Sequence, residues 1–469
     1  MTSKTTERLL PMVVAWPLFL QNLDSTVLAT ALPSMAVSLD VPVLHLNLAI
    51  TGYLLSLALC LPLSTWMANR FGAKQVFGLA IALFTLGSLC CGLVTSLPQL
   101  VLCRLLQGVG GAMMLPVGRL LLLLHVKPGD MIRAMLWFTI PGTLARMLGP
   151  LVGGVTVTLA DWRWIFLLQL PLGLLGVLLA WRWVPNDPHH ARARADEPLD
   201  ALGFFWMASG LVLWMGVLET NGKGLMPLWL GALLAMLGLA CFLLYRRHSL
   251  RVPHPLIDLR VFQDPAFRIS TLGAIPLRIA IGASPFLLPL LMQIGFGLSP
   301  IQSGLLTAAG ALGSLGSRGI LSRVLRRFGF RSVLMATAAA TSLCYVAYGQ
   351  MQAEMPHAFM FVLMLTGGLF NGMAMVSLNS LGYSALPKHL ASHATATGTM
   401  LQQLSVTLGV TLGASMLTWS NAWRGGSVAH LQAADFSPVF LAIGLITLTT
   451  LLSFRRLESR AGAHLVDED

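Results

Sequence analysis

The chain has 469 residues, 56% of them hydrophobic and only 10% charged, with a mean hydropathy of +0.76 and a formal net charge of +12. Soluble globular domains carry about 25% charged residues, so a soluble enzyme or binding module is excluded, and apolar runs recurring from end to end exclude a soluble domain on a single anchor. The basic residues are dispersed through short segments between those runs and form no continuous face, which argues for membrane topology and against nucleic acid as a partner.

The apolar runs predict fourteen membrane spans, at about 11–33, 45–68, 75–95, 98–124, 133–159, 163–184, 199–219, 225–245, 266–293, 300–325, 331–352, 356–384, 394–419 and 435–455. The longest polar connections are 186–200 and 246–268. With the N-terminus inside, the inward segments carry twenty-two Lys or Arg, and the outward loops carry three, Arg163, Lys223 and Arg424. This bias predicts a multi-pass membrane protein with both termini cytoplasmic. The first run carries Asp24 and lacks a small-residue cleavage site, so it reads as a retained span. All six cysteines fall in apolar runs and read as packing residues, and the histidines show no metal spacing. No nucleotide loop or catalytic triad is visible, so neither an enzyme nor a cofactor is expected.

Asp24 stands in the middle of the first span, where an ionised carboxylate costs roughly 2.5 to 3.5 kcal/mol on insertion scales and normally faces a partner or a wet cavity. It is the one acidic residue that the sequence places near mid-membrane. At 1.5 Å per residue Asp24 lies about 14 Å from Pro33, and Arg104 of the fourth span lies about 9 Å from Pro98. Antiparallel spans put the two at comparable depth. A nearby arginine favours the ionised carboxylate and burial disfavours it, so movement between two environments loads and releases a proton. The alternative is a static ion pair joining two helices.

Arg70-Phe71-Gly72-Ala73-Lys74-Gln75-Val76 follows the second span, and Arg327-Phe328-Gly329-Phe330-Arg331-Ser332-Val333 follows the tenth. With spans seven and eight set aside, both follow the second helix of a six-helix set. The chain then divides into a six-helix bundle at 1–185, a linker with two additional helices at 186–260 and a second six-helix bundle at 261–469. A parallel repeat of this kind is the all-α architecture of a rocker-type secondary transporter.

Four motifs in order carry a family resemblance. Leu23-Asp24-Ser25-Thr26-Val27-Leu28-Ala29-Thr30-Ala31-Leu32-Pro33 resembles the first-span motif of the fourteen-span drug:proton antiporters of the major facilitator superfamily. Trp66 to Lys74 resembles the loop motif after span two, Arg104 to Ala112 the fourth-span motif, and Gly149-Pro150-Leu151-Val152-Gly153-Gly154 the fifth-span antiporter motif. The chain departs from these patterns at Asn69, usually Asp, at Thr65, usually Gly, at Ala29, usually Asn, and at Ala145-Arg146.

The resemblance implies proton-coupled efflux of small amphiphilic compounds by alternating access. It implies Asp24 and Arg104 as the proton-coupling pair, and Asn69, Arg70, Gly72, Lys74, Gly149, Pro150, Gly153 and Gly154 as conformational motifs. Gln21, Asn22, Met113, Arg146, Arg278 and Asn371 are candidates for the substrate cavity. One Asp against as many as three deep arginines predicts a neutral to positive cavity, suited to anionic, zwitterionic or neutral amphiphiles rather than quaternary cations. The expected partners are a small-molecule substrate, protons and membrane lipids, with the chain a monomer. Proton symport of an anionic metabolite and a non-transporting membrane sensor are the competing readings.

Overall fold

Proline, serine and acidic residues mark where the apolar runs begin, and glycine marks where they turn sharply. The computed structural model describes residues 3–126, 131–185, 198–221, 226–252, 255–384, 391–426 and 431–458. Of the basic residues counted for topology, Lys127, Arg192, Arg194, Lys223, Lys388 and Arg460 lie outside them. The described residues form α1 (Ser3–Leu39), α2 (Asn47–Phe71), α3 (Ala73–Gly92), α4 (Leu97–His125), α5 (Met131–Leu159) and α6 (Trp164–Trp183). After these come α7 (Ala201–Asn221), α8 (Leu228–Ser249), α9 (Pro265–Gly295), α10 (Pro300–Gly349), α11 (His357–Ser384), α12 (Ala391–Trp423) and α13 (Ala433–Phe454). All thirteen are long and apolar enough to cross a membrane.

Local chemistry fixes the helix starts. Asp200 Oδ1 accepts from the Gly203 amide at 2.9 Å at the head of α7, and Asp264 Oδ1 accepts from the Phe267 amide at 2.7 Å at the head of α9. At α10, Ser299 and Gln302 form a reciprocal capping box, with Pro300 in the first turn. Each cap contributes about 1 kcal/mol and satisfies backbone donors that have no partner in the helix.

At 50 residues a straight α10 would run about 75 Å, more than twice the roughly 30 Å hydrocarbon core. It is not straight. Gly329 interrupts it with φ 73° and ψ 163°, so α10 contains spans ten and eleven of the sequence reading, and the described residues hold fourteen segments long enough to cross. Gly72 separates α2 from α3 with φ 94° and ψ 134°. These are the two glycines of the repeated Arg-Phe-Gly segment, and the backbone at both lies where a Cβ is strained. Gly72→Ala and Gly329→Ala are each expected to cost about 1–3 kcal/mol. Thermal unfolding in detergent measures this against Gly316→Ala, a helical position with open space around it, which should hold or raise the melting temperature. Equal behaviour of all three variants would refute the assignment.

The chain divides into two compact units, Met1–Leu199 and Asp200–Asp469. In the first, α1 lies along α5, α4 packs on both α2 and α3, and α6 packs on α3 and α1. In the second, α10 packs on α11 and α13, α9 packs on α12, and α7 pairs with α8 while touching α12. Lipid is as apolar as leucine, so close packing rather than apolar burial holds these helices together, and small residues sit at the crossings. Gly409 of α12 meets the Ile279 carbonyl of α9, Gly313 of α10 meets the Leu365 carbonyl of α11, and Gly110 of α4 meets Ala80 and Phe84 of α3.

Candidate functional site

Two glycines of α4 bring its polar residues into the first unit's interior. A Cβ on Gly108 would stand 2.5 Å from the Tyr53 carbonyl oxygen of α2, and one on Gly111 would stand 3.1 Å from Tyr53 Oη. With both positions bare, α4 seats against α2, and Arg104, one turn before Gly108, turns inward. Its side chain is 1% exposed and Asp24 of α1 is 0% exposed. The depths deduced by helix rise therefore correspond to a contact.

Arg104 Nη1 donates to Asp24 Oδ2 at 2.7 Å and to Oδ1 at 3.0 Å. The same nitrogen donates to Gln107 Oε1 at 2.6 Å, and Gln107 Nε2 donates back to Asp24 Oδ1 at 3.1 Å. From α6, Gln169 Nε2 donates to Asp24 Oδ1 at 3.0 Å. Arg104 Nε reaches the Ala49 carbonyl at 3.4 Å, and its guanidinium lies over the rings of Tyr53, at 4.7 Å, and Phe166, at 5.6 Å. One carboxylate thus joins α1, α4 and α6.

Two contributors were not singled out in the sequence. Gln107 lies within the fourth-span motif, and Gln169 is a lone amide among the apolar residues of α6. An uncharged amide costs little in a membrane helix and has no characteristic spacing, so only the folded neighbours distinguish it.

The remaining predicted site residues fall in varied places. Asn22 is half-buried, donates to the Leu18 carbonyl at 2.7 Å and faces Gly142 of α5. Gln21 is half-buried beside Gly111 and Tyr53. Met113 is buried in the core, whereas Arg146 is exposed. Arg278 of α9 is buried, and its Nη1 donates to the Thr271 carbonyl at 3.4 Å across the π-helical turn Ile269–Gly273. Asn371 of α11 accepts from Thr341 of α10 at 3.2 Å, a tie between neighbouring helices. Of the conformational motifs, Asn69 is buried in the last turn of α2, Arg70 is exposed, and Lys74 opens α3 half-buried. Gly149 and Gly153 press directly on Thr26 and Thr30 of α1, and Pro150 and Gly154 continue the same stretch of α5.

Burial of acids is not confined to Asp24. Glu219 of α7 is 6% exposed and accepts from Thr411 of α12 at 3.0 Å. Its place in the last turn of a span made it read as an interfacial residue, and the packing of α7 on α12 encloses it. Among the described residues no group of three His, Cys, Asp or Glu is arranged to hold a metal ion.

The chemistry open to the pair follows from charge. As it stands the pair is neutral and hydrogen-bonded through both carboxylate oxygens and through Nε and Nη1 of the guanidinium, the arrangement in which buried ions are tolerated. Adding a proton to Asp24 leaves the Arg104 charge buried without its counter-ion, a state costing several kcal/mol. The two rings under the guanidinium offset about 0.5–2 kcal/mol of that. The protonated form therefore favours any conformation that hydrates or otherwise pairs Arg104.

Apolar helices long enough to cross a membrane through both units, a positive-φ glycine in each copy of the repeated Arg-Phe-Gly segment and an ion pair sealed among three helices describe a multi-pass α-helical membrane protein of the transporter type. The chain belongs to the major facilitator superfamily, whose family model matches residues 17–410 and 271–465. It is 37% identical over 455 residues to the "Putative multidrug resistance protein MdtD" of Salmonella paratyphi A (strain ATCC 9150 / SARB42), covering 97% of this chain and 96% of that protein. The protein of the same name from Citrobacter koseri is 38% identical over 449 residues, covering 95% of this chain and 93% of the relative. Among solved structures, a D-xylose-proton symporter superposes with a TM-score of 0.70 at 15% identity, over 96% of this chain and 98% of its own. The human organic anion transporter MFSD10 does so with a TM-score of 0.61 at 16% identity, over 96% of this chain and 99% of its own. These structures share the fold. A small-molecule substrate follows from the family.

Proposed function

We propose that this protein exports small amphiphilic compounds across the inner membrane in exchange for protons, by alternating access, with both termini in the cytoplasm. The observation that carries this reading is the buried Asp24–Arg104 pair with its two glutamine donors. The names of the 37–38% identical relatives support the substrate class. Protonation of Asp24 from outside unbalances Arg104 and favours the conformation that releases substrate, and proton loss to the cytoplasm restores the pair. Gly149, Pro150, Gly153 and Gly154 hold α5 close on α1 as hinge and seal, and Asn69, Arg70, Gly72 and Lys74 set the turn between α2 and α3. Gln21, Asn22, Met113, Arg146, Arg278 and Asn371 contribute to the substrate path.

Everted membrane vesicles test direction and coupling together. Acidifying the lumen should drive substrate accumulation, and loss of accumulated substrate on acidification would point instead to symport.

The charges also bear on selectivity. Asp24 is spent on Arg104, and of the deep arginines Arg146 and Arg278 remain, while Glu219 at the end of α7 is held by Thr411. The substrate path then carries no surplus of negative charge, so neutral, zwitterionic or anionic amphiphiles should be preferred over dications. In a strain without its own exporters, expression should raise resistance to an anionic amphiphile at least severalfold more than to a lipophilic dication. Selective dication resistance would defeat the reading.

A further inference from the structure

A buried carboxylate that takes up a proton changes from acceptor to donor, and the new O–H must find an oxygen. Two side-chain oxygens of the surrounding shell are within reach, Oε1 of Gln107 and Oε1 of Gln169, because both amides already bond Asp24 Oδ1 through their Nε2 atoms. They are not equally free to turn. Gln107 Oε1 accepts a charge-assisted bond from Arg104 at 2.6 Å, so rotating that amide would aim its NH2 at a cation. Gln169 Oε1 accepts only from Ser88 Oγ of α3, at 3.4 Å, and Ser88 Oγ has a shorter bond at 3.0 Å to the Phe166 carbonyl.

We propose that Gln169 is a positioning residue whose amide turns over when Asp24 is protonated, giving the Asp24 O–H its acceptor and passing the protonation state from α1 to α6 and α3. The proposal rests on Asp24 being the proton-exchange site. A proton from water adds to a carboxylate oxygen of Asp24 without any other bond breaking. A half-turn about the terminal amide torsion then brings Gln169 Oε1 to the Asp24 O–H. The same turn aims Gln169 Nε2 at Ser88 Oγ, whose lone pairs accept while its O–H stays on the Phe166 carbonyl. The turn gives up the 3.3 Å bond from Gln169 Nε2 to the Ile165 carbonyl and gains the bond from the Asp24 O–H, so the amide has two orientations and the charge on Asp24 chooses between them.

The titratable and charged groups facing Asp24 are Arg104 on α4, Tyr53 on α2 and Cys91 on α3. From α6 it meets the amide of Gln169, and α5 faces this part of α1 with Gly142 and Gly149. Arg104 holds its charge in both states, which leaves the amide as the group free to respond.

Infrared difference spectroscopy of the full-length purified protein, recorded across a pH titration, tests this. The carboxylic-acid carbonyl band lost in Asp24→Asn identifies the Asp24 proton. In the unmodified protein that band should lie at the low frequency of a hydrogen-bonded acid. It should move to higher frequency in Gln169→Leu, where the acceptor is gone, and stay in place in Gln107→Leu. Labelling glutamine carbonyls with carbon-13 gives a second measurement in the native chain, in which one amide band should shift in step with the Asp24 band. That shift should vanish in Gln169→Leu. An Asp24 band that titrates but ignores Gln169, with no labelled amide following it, overturns the relay while leaving the proton site intact. Absence of any titrating Asp24 band overturns both.

Discussion

Asp24→Asn should lose proton-driven transport entirely and, at the same time, lower the stability of the protein. Asparagine keeps the size and one acceptor oxygen but removes the charge that balances Arg104, whose side chain is 1% exposed. Removing one member of a buried pair costs about 3–5 kcal/mol, because the other charge is left behind. Thermal unfolding in detergent should therefore show a clear drop, and vesicles containing the variant should accumulate no substrate under an imposed pH gradient. The double variant Asp24→Asn/Arg104→Gln separates the two effects. With both charges gone the core is polar but neutral, so most of the lost stability should return, whereas transport should not. Residues in direct contact are where such non-additivity is expected. Full recovery of transport in the double variant would show that the pair is only a helix tie.

The close approach of α5 to α1 should be almost as sensitive. A Cβ on Gly153 would stand 2.8 Å from the Val27 carbonyl oxygen, in addition to meeting Thr30 Oγ1, and a backbone oxygen cannot rotate away. Gly153→Val should push α1 off α5, costing about 1–3 kcal/mol through overpacking and reducing transport at least tenfold. Replacing Thr30 with a smaller residue should not rescue it. Gly149 differs, since its nearest neighbours are the side-chain atoms of Thr26. Gly149→Ala should also impair transport, but combining it with Thr26→Gly, which removes those atoms, should restore most of the activity. Transport assays on the four variants test this, and rescue of Gly153→Val by a change at position 30 would contradict it.

The fold was legible in the sequence because the solvent is hydrocarbon. A span needs about 20 apolar residues, and each connection must choose a side, so composition and the placement of Lys and Arg carry the topology. The repeated Arg-Phe-Gly segment was legible for a different reason, since a backbone that turns through positive φ needs glycine, and both copies do. Asp24 and Arg104 stood out because an isolated charge in an apolar run is costly, and helix rise alone was enough to bring them level. The shell around them was not legible. Gln107 and Gln169 look like any other amide in an apolar run, and what separates them is which helix face meets Asp24. The burial of Glu219 was not legible either, because its position in the last turn of α7 suits a headgroup contact equally well and its enclosure depends on the packing of α7 against α12.

If the buried carboxylate is the coupling group, substrate binding and proton binding compete through it, and the exchange is visible without a membrane. Purified protein in a weakly buffered detergent solution, first brought by acid titration to a pH at which part of the population carries the Asp24 proton and then mixed with an amphiphile from the resistance panel, should release up to one proton per molecule, detected by a pH indicator, and Asp24→Asn should release none. Equal proton release from the native chain and from Asp24→Asn would contradict the account.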